Sequence, residues 1–182
     1  MITIGITGTL GAGKGTVVDY LVREKGFRHF SVRAFLLARI RELGLPENRD
    51  SMYTLGNLLR AEYGPAYAVD QLYLQAQVSG CNAVIESIRT TGEVASLRQK
   101  GEFLLLAVDA DPYIRYNRIV QRGSETDNVS FDTFIENERR ESVSDDPAVQ
   151  NLQACIRLAD HVIMNNGTIG ELHKQVEGIL KF

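Results

Sequence analysis

Residues 2–16 read ITIGITGTLGAGKGT, and this stretch decides the fold. Its first part, residues 2–7, is apolar and rich in β-branched residues, as a buried strand should be. Residues 14–25 follow with Val17, Val18, Leu21 and Val22 on one helical face, and Gly26 closes that helix. Between strand and helix lies a turn of glycines that carries a lysine. Glycines there let consecutive backbone N–H groups turn inward around phosphate oxygens. The helix N-terminus adds partial positive charge. The expected polyphosphate cradle is Gly8, Thr9, Leu10, Gly11, Ala12, Gly13, Lys14, Gly15 and Thr16. Lys14 is its catalytic member, able to follow negative charge from β- to γ-phosphate. The strict pattern sets Ser or Thr directly after the lysine. Here Gly15 intervenes, so the hydroxyl available to a magnesium ion is that of Thr16, one residue later.

Moving outward, short apolar runs alternate with helical stretches. Strands are expected near residues 27–31, 83–85, 103–108 and 161–164. Helices are expected near 33–43, 50–63, from Pro65 to 78, 92–100, 112–121, from 131 onward, 148–158 and 169–180. Strands alternating with helices imply a parallel sheet. The expected class is an α/β P-loop NTPase: three layers, α/β/α, around a five-stranded parallel sheet. Residues 1–182 are expected to form one domain. The helices within about 32–79 make a large insertion for a crossover, enough for an acceptor-binding lobe. A small lid is expected at about 122–147.

Several side chains fit phosphoryl transfer. Glu86, in AVIESIR, closes a buried strand at the edge where open α/β sheets bind ligands, and could hold magnesium. Arg89 is three residues on and suits a phosphate. Asp109 ends a strand too, though Asp111-Pro112 beside it reads as helix-start chemistry. Arg115, Arg118 and Arg122 fall one turn apart on one helix face, and Arg139 and Arg140 come after a polar loop. Arg118, Arg122 and Arg140, with Lys14 and Arg89, are the catalytic candidates, neutralising charge on a moving phosphoryl group. The opposing reading of the arginines is a solvated face paired with Glu136, Glu138 and Glu141. Arg60, with Arg89, is the main acceptor-binding candidate, Arg33 and Arg39 are weaker ones, and Tyr63 or Tyr67 could stack on a base.

Composition is that of a soluble globular protein: 182 residues, 44% hydrophobic, 24% charged, formal net charge −3. That balance gives no sign of nucleic-acid binding. No apolar run is long enough for a bilayer span, and residues 1–8 are too short for a secretory signal. A cytoplasmic location with no membrane partner is expected. Cys81 and Cys155 are expected to be free thiols.

With these residues assembled, the chain resembles the nucleoside monophosphate kinase-like P-loop proteins: adenylate-kinase-related and dephospho-CoA-kinase-like small proteins. It is similar also to the kinase-like N-terminal region of some deoxycytidylate deaminases. The resemblance is carried by GTLGAGKGT, LLRAEYGP, AVIESIRTTGEV, AVDADPYIRYNRIVQRGSETD, ENERRE and ADHVIMNNGTIGEL. It matches Lys14 and Thr16 to the phosphate loop, Glu86 and Arg89 to an Asp-then-Arg motif, Arg118 and Arg122 to the lid base, and Arg140 to the lid arginine. Many relatives have Gly-Asp and a following Arg after the second strand; this chain has SVRAFLL at residues 31–37. The resemblance implies an ATP-dependent, magnesium-assisted phosphotransferase acting on a nucleoside or deoxynucleoside monophosphate. The alternatives are dephospho-CoA or another small metabolite as acceptor, and a nucleotide-binding regulatory module with little turnover. Small-molecule nucleotides are the expected partners, with monomer and homodimer both open.

Overall fold

The computed structural model describes residues 1–123, 129–140, 146 and 148–180, without the side chains of Arg49 and Arg140. The expected strand comes first: β1 is Thr3–Gly8, buried at every position. A glycine-rich turn leads to α1, Lys14–Lys25, closed by left-handed Gly26. β2 is Arg28–Ser31, and Ser31 caps α2, Val32–Glu42, by accepting from the Ala34 N–H. Next come α3, Arg49–Tyr63, capped by the Asn48 side chain, and α4, Tyr67–Ser79. β3 is Ala83–Glu86 and α5 is Thr91–Arg98. β4, Phe103–Asp109, is followed by α6, Pro112–Arg122, with Asp111 as N-cap. α7 is Phe131–Arg140, α8 Leu152–Arg157, β5 His161–Met164 and α9 Ile169–Ile179.

All five strands are parallel, in the order β2-β3-β1-β4-β5. Alternation along the strands feeds two cores, because successive side chains leave opposite faces. On one face Ile4, Ile6, Val84, Leu106, Val108 and Ile163 pack with Val17, Val18 and Leu21 of α1 and Leu172 and Val176 of α9. On the other, Ala83, Ile85 and Leu105 meet Val69, Leu72, Tyr73 and Ala76 of α4, Val94 and Leu97 of α5, and Cys155 of α8. The result is the expected three-layer α/β/α arrangement.

Two helix starts differ from the sequence reading for a visible physical reason. α8 starts at Leu152, not at 148. The Asn151 backbone N–H donates to the Arg89 carbonyl, and its side chain caps the Ala154 N–H. Docking against the turn after β3 therefore wins over local helix propensity. Pro65 lies two residues ahead of α4, in the turn set by Gly64 at φ 103°.

Every strand points its C-terminal end the same way, so Ser31, Glu86, Gly8 and Asp109 collect along one edge of the sheet. The register places Ser31 beside Glu86, and Glu86 beside Ile6 of the central strand. Helices α2–α4 fill the connection from β2 to β3, where the acceptor insertion was expected. Of the stretch expected to form a lid, residues 124–128, 141–145 and 147 and the Arg140 side chain lie outside the described residues.

Candidate active site

The loop between β1 and α1 turns back on itself, with the Ala12 N–H donating to the Thr9 carbonyl at 3.3 Å. Its geometry dictates glycine at two positions. Gly13 is the N-cap of α1 at φ 97°, and a Cβ there would sit 2.4 Å from Asn165 Nδ2. Gly11 has φ 79°, and its Cβ would fall 2.6 Å from the Arg115 carbonyl oxygen. Any L-residue is strained at such φ values, and here the space is filled as well.

Lys14 Nζ donates to the loop's own Gly8 and Thr9 carbonyls, at 2.8 and 2.7 Å. The ammonium thus stays within the loop it is meant to serve. Burial pushes its pKa down to about 8; the positive charges of Arg89, Arg115 and Arg122 push the same way, and Glu86 opposes them. A lysine held among cations in a partly dry site favours an anionic ligand that relieves it.

The far wall of the loop is built by β4, α6 and the turn after β5. Thr9 Oγ1 donates to Asp109 Oδ1 at 2.6 Å. Arg118 Nη2 donates to the Asn165 carbonyl at 2.9 Å and Nη1 reaches the Ala12 carbonyl at 3.5 Å. Asn165 Nδ2 donates to that same Ala12 carbonyl at 2.8 Å. Arg118 is therefore placed against loop backbone. Arg122, in the last turn of α6, is exposed and within electrostatic reach of Lys14.

Glu86 is held from the edge strand. Its Oε1 accepts from Ser31 Oγ at 3.0 Å and lies 3.4 Å from His29 Nε2. The His29 contact, then Ser31, hold the carboxyl below its usual range against burial, and Lys14 adds to that. Glu86 Oε2 carries no hydrogen bond among the described residues, and the part-buried Thr16 stands in the first turn of α1. A magnesium ion takes one or two carboxylate oxygens and completes its shell with phosphate oxygens and water. An ionised Glu86 with one oxygen unused, close to the phosphate cradle, fits that requirement.

Ser87 follows at φ 69°, the non-glycine residue with positive φ among the described residues. The chain kinks there, yet Ile88 N–H still bonds to the Ile6 carbonyl and Thr7 Oγ1 to the Ile88 carbonyl. This kink passes the chain from Glu86 to Arg89 across the end of β1. Arg89 Nη1 lies 3.4 Å from Gln150 Oε1. The Arg89 and Thr90 N–H groups both donate to Glu93 Oε2, at 2.8 and 3.0 Å. Glu93 is buried, which pushes its pKa up, and the nearby Arg60 charge opposes that rise.

Arg60, on α3, faces this same cluster. Its Nη2 donates to Asn57 Oδ1 at 2.7 Å, while Nε is buried with no hydrogen-bond partner among the described residues. Burial pulls its pKa down; Glu93 raises it and Arg89 lowers it. Arg89 thus sits within electrostatic reach of both Lys14 and Arg60. Arg33 is exposed on the first turn of α2. Tyr63 and Tyr67 stack on each other, ring centroids 4.6 Å apart. Cys81 is exposed and Cys155 buried, both free; burial pushes the Cys155 thiol up to about 12, so it is no nucleophile.

Sequence reasoning singled out Lys14, Glu86, Arg89 and Arg60 as separate candidates. It missed what holds them: His29 and Ser31 on Glu86, Glu93 beneath Arg89, and Asn165 on the loop. Only Glu93 carried a visible signal, the Thr90-x-x-Glu93 capping box that the structure forms.

A glycine-rich loop and lysine on the central strand of a five-stranded parallel sheet define a P-loop fold of kinase-like architecture. Within that class the chain belongs to the family described as the AAA domain, whose model matches residues 4–144. It is 30% identical over 186 residues to a UPF0200 protein of Methanothermobacter thermautotrophicus, covering 100% of this chain and 90% of the relative. Among solved structures, TT1252 of Thermus thermophilus superposes with TM-score 0.61 at 24% identity, covering 98% of this chain and 96% of that one. Shikimate kinase of Bacteroides thetaiotaomicron does so with TM-score 0.57 at 14% identity, covering 100% and 99%. At those identities the likeness is one of fold.

Proposed function

We propose that this protein is an ATP-dependent phosphotransferase whose acceptor is a small phosphate-bearing molecule, a nucleoside or deoxynucleoside monophosphate. The observation that carries the reading is the place of Arg89. It is within electrostatic reach of two cationic groups, Lys14 in the phosphate loop and Arg60 on the helical insertion. A donor polyphosphate on one side and an acceptor phosphate on the other would each meet an arginine or lysine, with Arg89 shared between them.

In this reading the loop amides and Lys14 bind the β- and γ-phosphates of ATP. Arg60 and Arg89 orient the acceptor phosphate; a planar guanidinium donates two parallel hydrogen bonds to it. Lys14, already short of counter-charge, tracks the phosphoryl group as it passes in line to the acceptor oxygen. Glu86 and Thr16 would hold magnesium, which neutralises phosphate charge when bound. Arg122 and Arg140 are the remaining candidates to meet the migrating charge. Arg118, set against the Ala12 and Asn165 carbonyls, supports the loop. Asp109 is given a supporting role too, since Thr9 and the Ala110 N–H occupy its Oδ1.

The test is ADP release measured with ATP and magnesium over a panel of nucleoside and deoxynucleoside monophosphates and dephospho-CoA. Turnover stimulated by a monophosphate supports the proposal. Stimulation by dephospho-CoA alone moves the acceptor class. Tight ATP binding with no stimulated turnover by any acceptor replaces the kinase by a regulatory nucleotide-binding module.

A further inference from the structure

Arg115 is 3% exposed. A guanidinium this deeply buried is destabilising unless every donor is used well. Here Nε donates to the Ala110 carbonyl at 2.8 Å and lies 3.6 Å from Asp109 Oδ1. Nη1 donates to the Leu10 carbonyl at 3.2 Å and to Glu138 Oε1 at 2.5 Å. Nη2 donates to Glu138 Oε2 at 2.9 Å, so the fork and the carboxylate meet two on two. The guanidinium carbon lies 5.4 Å from the ring centroid of Phe134, itself buried.

Leu10 is in the phosphate loop, and Glu138 and Phe134 are on α7. Arg115 therefore joins three things: the loop backbone, α6 and α7. Its own backbone carbonyl is the surface against which Gly11 turns. The adjoining faces of α6 and α7 are joined further by Tyr113 and Phe131, stacked with centroids 4.4 Å apart, and by Tyr116, edge-on to Phe131. The loop amides bind phosphate only while their carbonyls point away from it. The Leu10 carbonyl is held on the α6 side of the loop by Arg115 Nη1, and Arg115 is held in turn by Glu138.

We infer that Glu138 is a positioning residue for polyphosphate binding: through Arg115 it fixes the Leu10 carbonyl, and so makes α7 part of the phosphate site. This rests on the reading of the loop as an ATP site. The alternative, a pair that only stabilises the fold, differs in a measurable way. So does simple electrostatics: deleting a negative charge beside an anion site should tighten ATP, whereas losing the carbonyl's orientation should weaken it.

The test is the ATP dissociation constant at fixed magnesium, by calorimetry, with the melting temperature recorded for each variant. Glu138→Gln is expected to weaken ATP about tenfold. Arg115→Lys, which keeps the charge and loses the fork, is expected to weaken it similarly. Since breaking a buried pair can unfold a chain, Arg115→Met with Glu138→Leu serves as a second probe, replacing both partners by apolar groups of similar size. It is expected to fold and to bind ATP at least about tenfold more weakly. Variants that melt lower yet bind ATP as the wild type does, or more tightly, overturn the inference and leave the ATP site standing. A wild-type chain that binds no ATP overturns the inference and the site reading together.

Discussion

A single ammonium group sets the chemistry of the loop. Lys14 has its pKa pushed down to about 8, first by burial and then by Arg89. Bound phosphates would raise that value again. Below pH 8 the lysine is protonated with or without ligand, so it contributes no pH dependence to binding. Above pH 8 the free protein loses the proton and the complex keeps it, so ATP binding must take up a proton. Affinity is therefore expected to fall by up to about tenfold per pH unit above about pH 8. Calorimetric titrations from about pH 7 to pH 9.5 check this, and a flat profile would remove Lys14 from the phosphates. On the acceptor side, Arg60→Ala is expected to raise the acceptor KM by about tenfold or more with a smaller change in kcat, read from initial rates. An unaltered KM would take Arg60 out of the site. Lys14, Glu86, Arg60 and Arg89 could be singled out in the sequence as candidates because each stands in a local context that suggests a chemistry. Arg115 was read as one of a ladder of phosphate-facing arginines, and one option for that ladder was pairing with Glu138. Burial chose the pairing, and no spacing along α6 reveals which arginine points inward.

The elements were legible through their stop and start signals. Gly26 after α1 and Asp111-Pro112 before α6 are local instructions, and the chain follows them. α8 was not legible in the same way. Its start is decided by a bond from Asn151 to Arg89, which are far apart in sequence. The turn after β3 hides a further cost. Ser87 is held at φ 69°, which disfavours any residue with a Cβ. Ser87→Gly is expected to stabilise the chain by about 0.5–1 kcal/mol by removing that strain, less the entropy glycine loses on folding. Chemical denaturation at equilibrium measures it. A destabilised Ser87→Gly protein would mean that the serine hydroxyl matters more to the turn than its backbone does.

At the scale of the whole molecule, the phosphate loop should report on stability. A ligand that binds only the folded chain adds about 2.7 kcal/mol at one hundred times its dissociation constant. ATP at that excess is expected to raise the melting temperature of the wild type, and Lys14→Ala is expected to lose most of the shift while melting close to wild type without ligand. Equal shifts in both proteins would place ATP elsewhere. The fold class and five strands were legible, because alternating strands and helices leave few choices. The order β2-β3-β1-β4-β5 was not, since nothing local tells β1 to lie between β3 and β4. That order has a consequence for how the chain comes to life. Thr3 pairs with both Ala83 and Phe103, so β1 has no partner until the chain has been synthesised past Ala83. The glycine turn is made well before β3 and β4 and must wait, unshaped, for them. Nascent chains arrested before residue 109 should be unable to grip nucleotide, however complete their N-terminal motif.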